Sequence, residues 1–97
     1  MKVVVVGPGA VGCLLAAFLV EGGNETILLD KRRDRARHIS RKGVRIESRT
    51  SLRAVRVPAT VNAGSVGIAD FVCICVKSYD TPAAVLSARP MIGPETF

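Results

Sequence analysis

Four β-branched residues, Val3–Val6, run straight into Gly7-Pro8-Gly9-Ala10-Val11-Gly12, and no other stretch narrows the fold as much. A short run with no polar position has no face to offer water. It reads as a strand covered on both sides, as central strands of parallel sheets are. Ala10–Glu21 follows, apolar and helix-forming, with Val11, Leu14, Leu15, Phe18 and Leu19 at helical spacing. Gly22-Gly23-Asn24 closes it, glycine being the usual residue just past a last turn. Buried strand, glycine-rich turn and helix, in that order, open a βαβ unit.

The rest of the chain continues the alternation. Glu25–Asp30 is a second strand ending in an acid. Arg33–Lys42 is a basic helix with Ala36 and Ile39 as its apolar side, closed by Gly43. The period then changes to two, with Val44, Ile46 and Ser48 alternating with Arg45, Glu47 and Arg49. Ala54–Val57 is extended again, which predicts a small strand pair at about 44–57 with its turn at Thr50-Ser51. Pro58 to Gly64 reads as a loop without a clear helix. Asp70–Val76 is a third buried strand, and Lys77-Ser78-Tyr79 leaves it. Asp80 or Thr81 caps a helix with Pro82 at its first position, running to about Ala88 before Pro90 and Gly93-Pro94. The fold class is α/β, a Rossmann-type doubly wound parallel sheet with a small extra strand pair. Residues 1–97 are expected to be the N-terminal part of a dinucleotide-binding domain, the sheet being truncated at Phe97, where the pattern would begin its next strand.

Composition excludes several alternatives. With 48% hydrophobic residues the chain is not intrinsically disordered. No apolar run approaches the ~18 residues of a membrane span. Met1-Lys2 followed by four valines and a glycine turn is not a signal peptide, so a cytoplasmic protein without membrane association is expected. The three cysteines suit that compartment, because an odd number does not close a disulfide framework. Cys73 and Cys75 share one strand face with Cα atoms ~6.6 Å apart, at the far edge of disulfide reach, and read as small buried hydrophobes. The only histidine, His38, stands in a basic stretch, and there is no Cys-x-x-Cys pair, so no metal site is expected. Charge is uneven: residues 31–56 hold eleven Lys or Arg against Asp34 and Glu47 alone. Such a band is a solvated face or meets an anion. With 4% aromatic residues and no Trp there is little for bases to stack on, so nucleic acid is not expected as the partner.

Gly-x-Gly-x-x-Gly is weak evidence alone, but here a strand precedes it, a helix follows and a second strand ends in an acid. Gly7 permits the tight turn, Gly9 lets a pyrophosphate approach the backbone, and Gly12 lets helix and strand pack closely. The amides of Ala10, Val11 and Gly12 open the helix, where backbone N–H groups and the helix dipole favour an anion. Pro8 offers no donor. Asp30, 18 residues past Gly12, stands near the spacing at which an acid meets the adenosine ribose of NAD. Lys31-Arg32-Arg33 points the other way, since a cation there holds the 2′-phosphate of NADP. Cations are disfavoured at a helix N-terminus, so three of them suggest a neighbouring anion. The balance favours NADP(H), held by Lys31 with Arg32 assisting. Lys77, just past the third strand, lies where ligands of open α/β sheets bind and is a candidate for cofactor or substrate. Cys13, in the first turn of the glycine-loop helix, reads as a packing residue rather than an activated thiol.

The sequence resembles the N-terminal domain of the ketopantoate reductases (2-dehydropantoate 2-reductases). Met1-Lys2 through Gly12 carry this, with Leu28-Leu29-Asp30-Lys31, Arg41-Lys42-Gly43-Val44-Arg45-Ile46-Glu47, and Asp70-Phe71-Val72-Cys73-Ile74-Cys75-Val76-Lys77-Ser78-Tyr79. The resemblance implies NADPH-dependent reduction of a small-molecule 2-keto acid to a 2-hydroxy acid, on the pantothenate and coenzyme A route. It places Lys31 at the 2′-phosphate and Lys77 in the cofactor and substrate cleft. It also implies a helical second domain carrying the proton-donating lysine and most substrate contacts. That domain lies outside these 97 residues, so no catalytic residue is expected among them. The exposed edge of the shortened sheet is expected to favour self-association. Two other readings share the glycine loop: a non-catalytic nucleotide-sensing module, as in the regulatory domains of potassium channels, and the cofactor domain of another NAD(P) dehydrogenase.

Overall fold

The Val3–Val6 run lies at the centre of a sheet. In the computed structural model, which describes residues 1–7, 9–47, 52–75 and 81–97, strand β1 (Lys2–Val6) is flanked on both sides by parallel neighbours. One is β2 (Glu25–Leu29), in the register Lys2↔Glu25 to Val6↔Leu29, and the other is β6 (Phe71–Ile74), in the register Val3↔Phe71 to Val6↔Ile74. The full order is β5-β2-β1-β6, with β5 (Ala59–Thr60) parallel to β2 at one edge. At the other edge, Phe97 N–H donates to the Asp70 carbonyl at 3.0 Å and Val72 N–H to the Phe97 carbonyl.

The pleat divides the core in two. Val4, Val6 and Leu29 pack on one side with Ala63, Val66, Ala69, Ala84, Ala88 and Met91. That side is covered by a 3₁₀ turn at Ala63–Ser65, helix α3 (Thr81–Ala88) and a 3₁₀ turn at Arg89–Met91. Val5 and Leu28 face the opposite way, onto helices α1 (Ala10–Glu21) and α2 (Arg33–Lys42) and an antiparallel strand pair. Valines buried this fully contribute on the order of 1.5–3 kcal/mol each, which is why β1 contains no polar residue between Lys2 and Gly7. Cys73 and Cys75 share the second face, as their spacing predicts, and none of the three cysteines is in a disulfide.

The strand pair is β3 (Val44–Glu47) with β4 (Leu52–Val55), forming a separate two-stranded sheet. Val44, Ile46 and Val55 are buried while Arg45 and Glu47 face solvent, so the period-two reading holds. The turn expected at Thr50-Ser51 lies outside the described residues. A bidentate pair from Arg53 to Glu21, 2.8 and 3.1 Å, ties the pair to the end of α1.

Two expectations need correction. The periodicity of α1 rests on large residues, yet Val11, Leu14 and Phe18 are exposed. The helix seats on the sheet through Gly12, Ala16 and Ala17, whose small side chains let it approach closely. The segment after Pro58, read as a loop, contains β5. Two residues are too few to show a period, and β5 is fixed by contacts distant in sequence. Leu28 and Asp30 amides donate to the Pro58 and Thr60 carbonyls, both at 2.9 Å. Ser40 Oγ both donates to the Ala59 carbonyl and accepts from its amide, at 2.8 and 2.9 Å.

Ser40→Ala should therefore loosen the edge. It removes two hydrogen bonds in a partly buried position, a loss of about 1–2 kcal/mol. Amide hydrogen exchange at Leu28 and Asp30 should accelerate, while exchange within α3 stays unchanged.

Candidate functional site

Parallel pairing brings the carboxyl ends of β1 and β2 side by side, Val6 opposite Leu29. The glycine loop and the Asp30-Lys31-Arg32 segment are thereby neighbours, as open α/β sheets require of a ligand site. Gly7 opens the loop with φ 99°, a conformation glycine adopts at no steric cost. Its N–H donates to the Leu29 carbonyl at 3.0 Å, linking the loop directly to the end of β2. Pro8 lies outside the described residues.

Gly9 is the residue ahead of α1, and its carbonyl accepts the first helical bond, from Cys13 N–H at 2.9 Å. No side chain caps this N-terminus and the first turn holds no acid. The opening amides, beginning at Ala10 and Val11, thus retain their capacity to hold an anion. The two remaining glycines of the motif differ sharply. A Cβ at Gly12 would stand 2.2 Å from the Gly7 carbonyl oxygen and 3.3 Å from Cys75 Cβ. A Cβ at Gly9 would meet nothing within 4 Å. Gly12 is required by the protein's own packing. At Gly9 the protein leaves open space, which fits a group brought close to the backbone from outside, such as a pyrophosphate.

Asp30 follows β2 and is buried, its side chain having no exposed surface. Arg35 grips it from α2, Nε donating to Oδ2 and Nη2 to Oδ1, each at 2.7 Å. Arg32 N–H donates to Oδ1 at 3.0 Å. Burial works to raise the Asp30 pKa, but the Arg35 hydrogen bonds, the backbone donors and the Arg35 charge outweigh it and hold the carboxyl below its ordinary value. Lys31 is exposed and has no ion-pair partner among the described residues. Arg32 pairs with Asp34 at 2.9 Å, both side chains well exposed, a contact easily exchanged for another anion.

Sequence reasoning missed Arg35. It stands five residues after Asp30, across a strand end and a helix start, so neither the helical i, i+4 spacing nor the strand alternation marks the pair. Lys77, expected past the end of β6, lies outside the described residues. Burial pushes the Cys13 thiol up, and Arg35, which favours the thiolate, does not offset this, so the packing reading of Cys13 stands. Among the described residues, no three or more His, Cys, Asp or Glu side chains are grouped to hold a metal. No helix among them is long and apolar enough to cross a membrane.

Comparison with known proteins agrees with the fold. A sequence model of the family described as ketopantoate reductase PanE/ApbA matches residues 3–97. The 2-dehydropantoate 2-reductase of Aquifex aeolicus is 36% identical over 101 residues, taking in all of this chain and 30% of its own length. A PanE/ApbA family ketopantoate reductase from Ralstonia eutropha JMP134 superposes with a TM-score of 0.86 at 36% identity, over 99% of this chain and 32% of that one. A D-mandelate dehydrogenase solved with NADH and anilino(oxo)acetate superposes equally well, TM-score 0.86 over 99% of this chain and 31% of that one. At 19% identity that likeness speaks to the fold alone. The chain thus spans about a third of the length of the proteins it matches.

Two measurements check this account of the site. Gly12→Ala should lower the urea midpoint, overpacking against backbone costing about 1–3 kcal/mol or more, whereas Gly9→Ala should leave it within about 0.5 kcal/mol, as surface changes usually do. The second is a pH series. The folded-state pKa of Asp30 lies below its unfolded value of about 3.9, so its contribution is complete above that value and is lost as pH falls through the folded one. From about pH 5 downward the urea midpoint of the wild type should fall more steeply than that of Asp30→Asn.

Proposed function

The chain belongs to the ketopantoate reductase PanE/ApbA family, and we propose that it is the NADPH-binding part of a 2-keto-acid reductase, one converting ketopantoate to pantoate. The observation that carries the cofactor reading is the pairing of an open glycine loop with an exposed Lys31, without an ion-pair partner among the described residues, at the end of the adjoining strand. Gly7, Pro8, Gly9, Ala10, Val11 and Gly12 would hold the pyrophosphate, and Lys31, with Arg32 assisting, the 2′-phosphate. A protein of the same fold has been solved with NADH, so the fold does not settle the cofactor and the residues after β2 must. Asp30 argues for NAD by its position and against it by its burial.

When bound, the cofactor supplies the hydride that reduces the keto carbon. The residues described here bind and orient it: amides at the start of α1 neutralise charge on the pyrophosphate, and Gly9 admits it against the backbone. Lys77 is proposed to line the cleft between cofactor and keto acid. No residue of 1–97 is proposed as the proton donor; that group and the walls that exclude water belong to a helical domain of the whole protein. The protein is proposed to act in the cytoplasm, with no nucleic-acid or membrane partner. Self-association of the isolated chain through the stretch of the outer edge of β6 past Val72, beyond the Phe97 hydrogen bonds, belongs to the same reading.

The test is a titration with NADPH and NADH, followed by nicotinamide fluorescence. A charge-assisted bond to phosphate is worth roughly 1.5–3 kcal/mol, so Lys31→Ala should weaken NADPH about ten- to hundredfold and leave NADH nearly unchanged. Gly9→Val should remove binding of both while the far-UV spectrum persists. Equal losses with Lys31→Ala would refute the NADPH assignment, and retained affinity in Gly9→Val would refute the loop's role.

A further inference from the structure

Asp30 occupies the position from which an acid, in a fold of this kind, selects NAD by accepting the ribose 2′-hydroxyl. Here it does not face solvent. Its side chain has no exposed surface, Arg35 holds both oxygens at 2.7 Å, and the Arg32 amide takes Oδ1 at 3.0 Å. A bidentate guanidinium fixes a carboxylate in both position and plane. For Asp30 to reach a ribose it would have to leave that grip, and while held its charge is cancelled locally by Arg35. The Arg35 side chain remains 37% exposed, so it covers the acid from the solvent side rather than being sealed beneath it.

We propose that Arg35 is a specificity-determining positioning residue: by holding Asp30 inward and neutralising it, Arg35 withdraws the NAD-selecting acid and leaves Lys31 to meet a 2′-phosphate. The inference rests on the NADPH reading above and deepens it. Arg35 acts through Asp30 and is not assigned a contact with the cofactor. Two consequences separate this from a merely structural pair. Loss of Arg35 must change the ratio of affinities for the two cofactors, because an uncovered carboxylate repels a 2′-phosphate but accepts a 2′-hydroxyl. Removing the charge on Asp30 must then restore the ratio.

The experiment measures dissociation constants for NADPH and NADH in wild type, Arg35→Ala, Arg35→Lys, Asp30→Asn and the double variant Asp30→Asn/Arg35→Ala. Arg35→Ala should lower the preference for NADPH by about tenfold or more, chiefly through weaker NADPH binding. Arg35→Lys, which keeps the charge but not the bidentate grip, should fall between wild type and Arg35→Ala, and the double variant, which has no charge to cancel, should stay within about threefold of the wild-type preference. Asp30→Asn alone should weaken neither cofactor by more than about threefold, since the acid touches neither. Should Arg35→Ala not fold, that last variant decides: a loss of about tenfold for either cofactor means the acid contacts ribose, and overturns the inference. Equal loss of both cofactors in a folded Arg35→Ala, without recovery in the double variant, also overturns it. A wild type that binds NADH as tightly as NADPH refutes the cofactor reading itself. A wild type that prefers NADPH but is indifferent to Arg35→Ala refutes this inference alone.

Discussion

The close approach of Gly12 to the Gly7 carbonyl is the contact on which the rest of the molecule turns. With no side chain between them, α1 starts directly against the end of β1. Ala16 and Ala17, one turn further on, continue the same close seam against Val5 and Leu28. A helix set this low over the sheet directs its first amides past the strand end, not into the core. It also fixes how far α1 stands from β3 and β4, because the strand pair packs on the same side through Val44, Ile46 and Val55. One steric requirement thus sets the layer spacing and aims an anion-binding helix start at the carboxyl edge.

Local charge at that edge follows from which acids are already engaged. Asp30 is held by Arg35, Asp34 by Arg32, and Glu21, at the far end of α1, by Arg53. These three acids are therefore matched internally, while Lys31 and Glu47 face solvent without an ion-pair partner among the described residues. Part of the band is accordingly structural. Arg53 ties the strand pair to α1, and Arg35 orders the turn between β2 and α2. A run that looks like one feature in the sequence performs several separate tasks.

Most of the scaffold was legible in the sequence because its signals are local. A valine run with no polar position has one reading, and glycine spacing after it has a steric meaning independent of the rest of the chain. Helix α2 closes at a glycine, and β3 shows its alternation within four residues. What escaped depends on distant partners. Strand β5 exists because Leu28, Asp30 and Ser40 supply its hydrogen bonds, and none of them is near it in sequence. The buried face of α1 was obscured because close packing selects small residues, while periodicity is read from large ones. The candidate site was legible as residues and not as a network: Asp30, Lys31 and Arg32 were visible, but the grip of Arg35 on the acid was not.

That grip bears on a contradiction within the motif. An acid and a cation in succession at the end of β2 make opposite demands on a ribose, and the sequence tips the balance toward the cation only through the crowding of Lys31, Arg32 and Arg33 at a helix start. Burial adds to the proposed answer. A carboxylate with no exposed side-chain surface and three donors on its oxygens is part of the protein's interior electrostatics. It also shapes the turn, the Arg32 amide being drawn onto Oδ1 as the chain enters α2. The same turn places Lys31 and Arg32 before the positive end of a helix whose N-terminus no side chain caps. Uncompensated cations there are unfavourable. Asp34 in the first turn offsets part of this, but it is already shared with Arg32. The arrangement is least strained electrostatically when a further anion stands in front of Lys31, and the proposed 2′-phosphate would be such an anion.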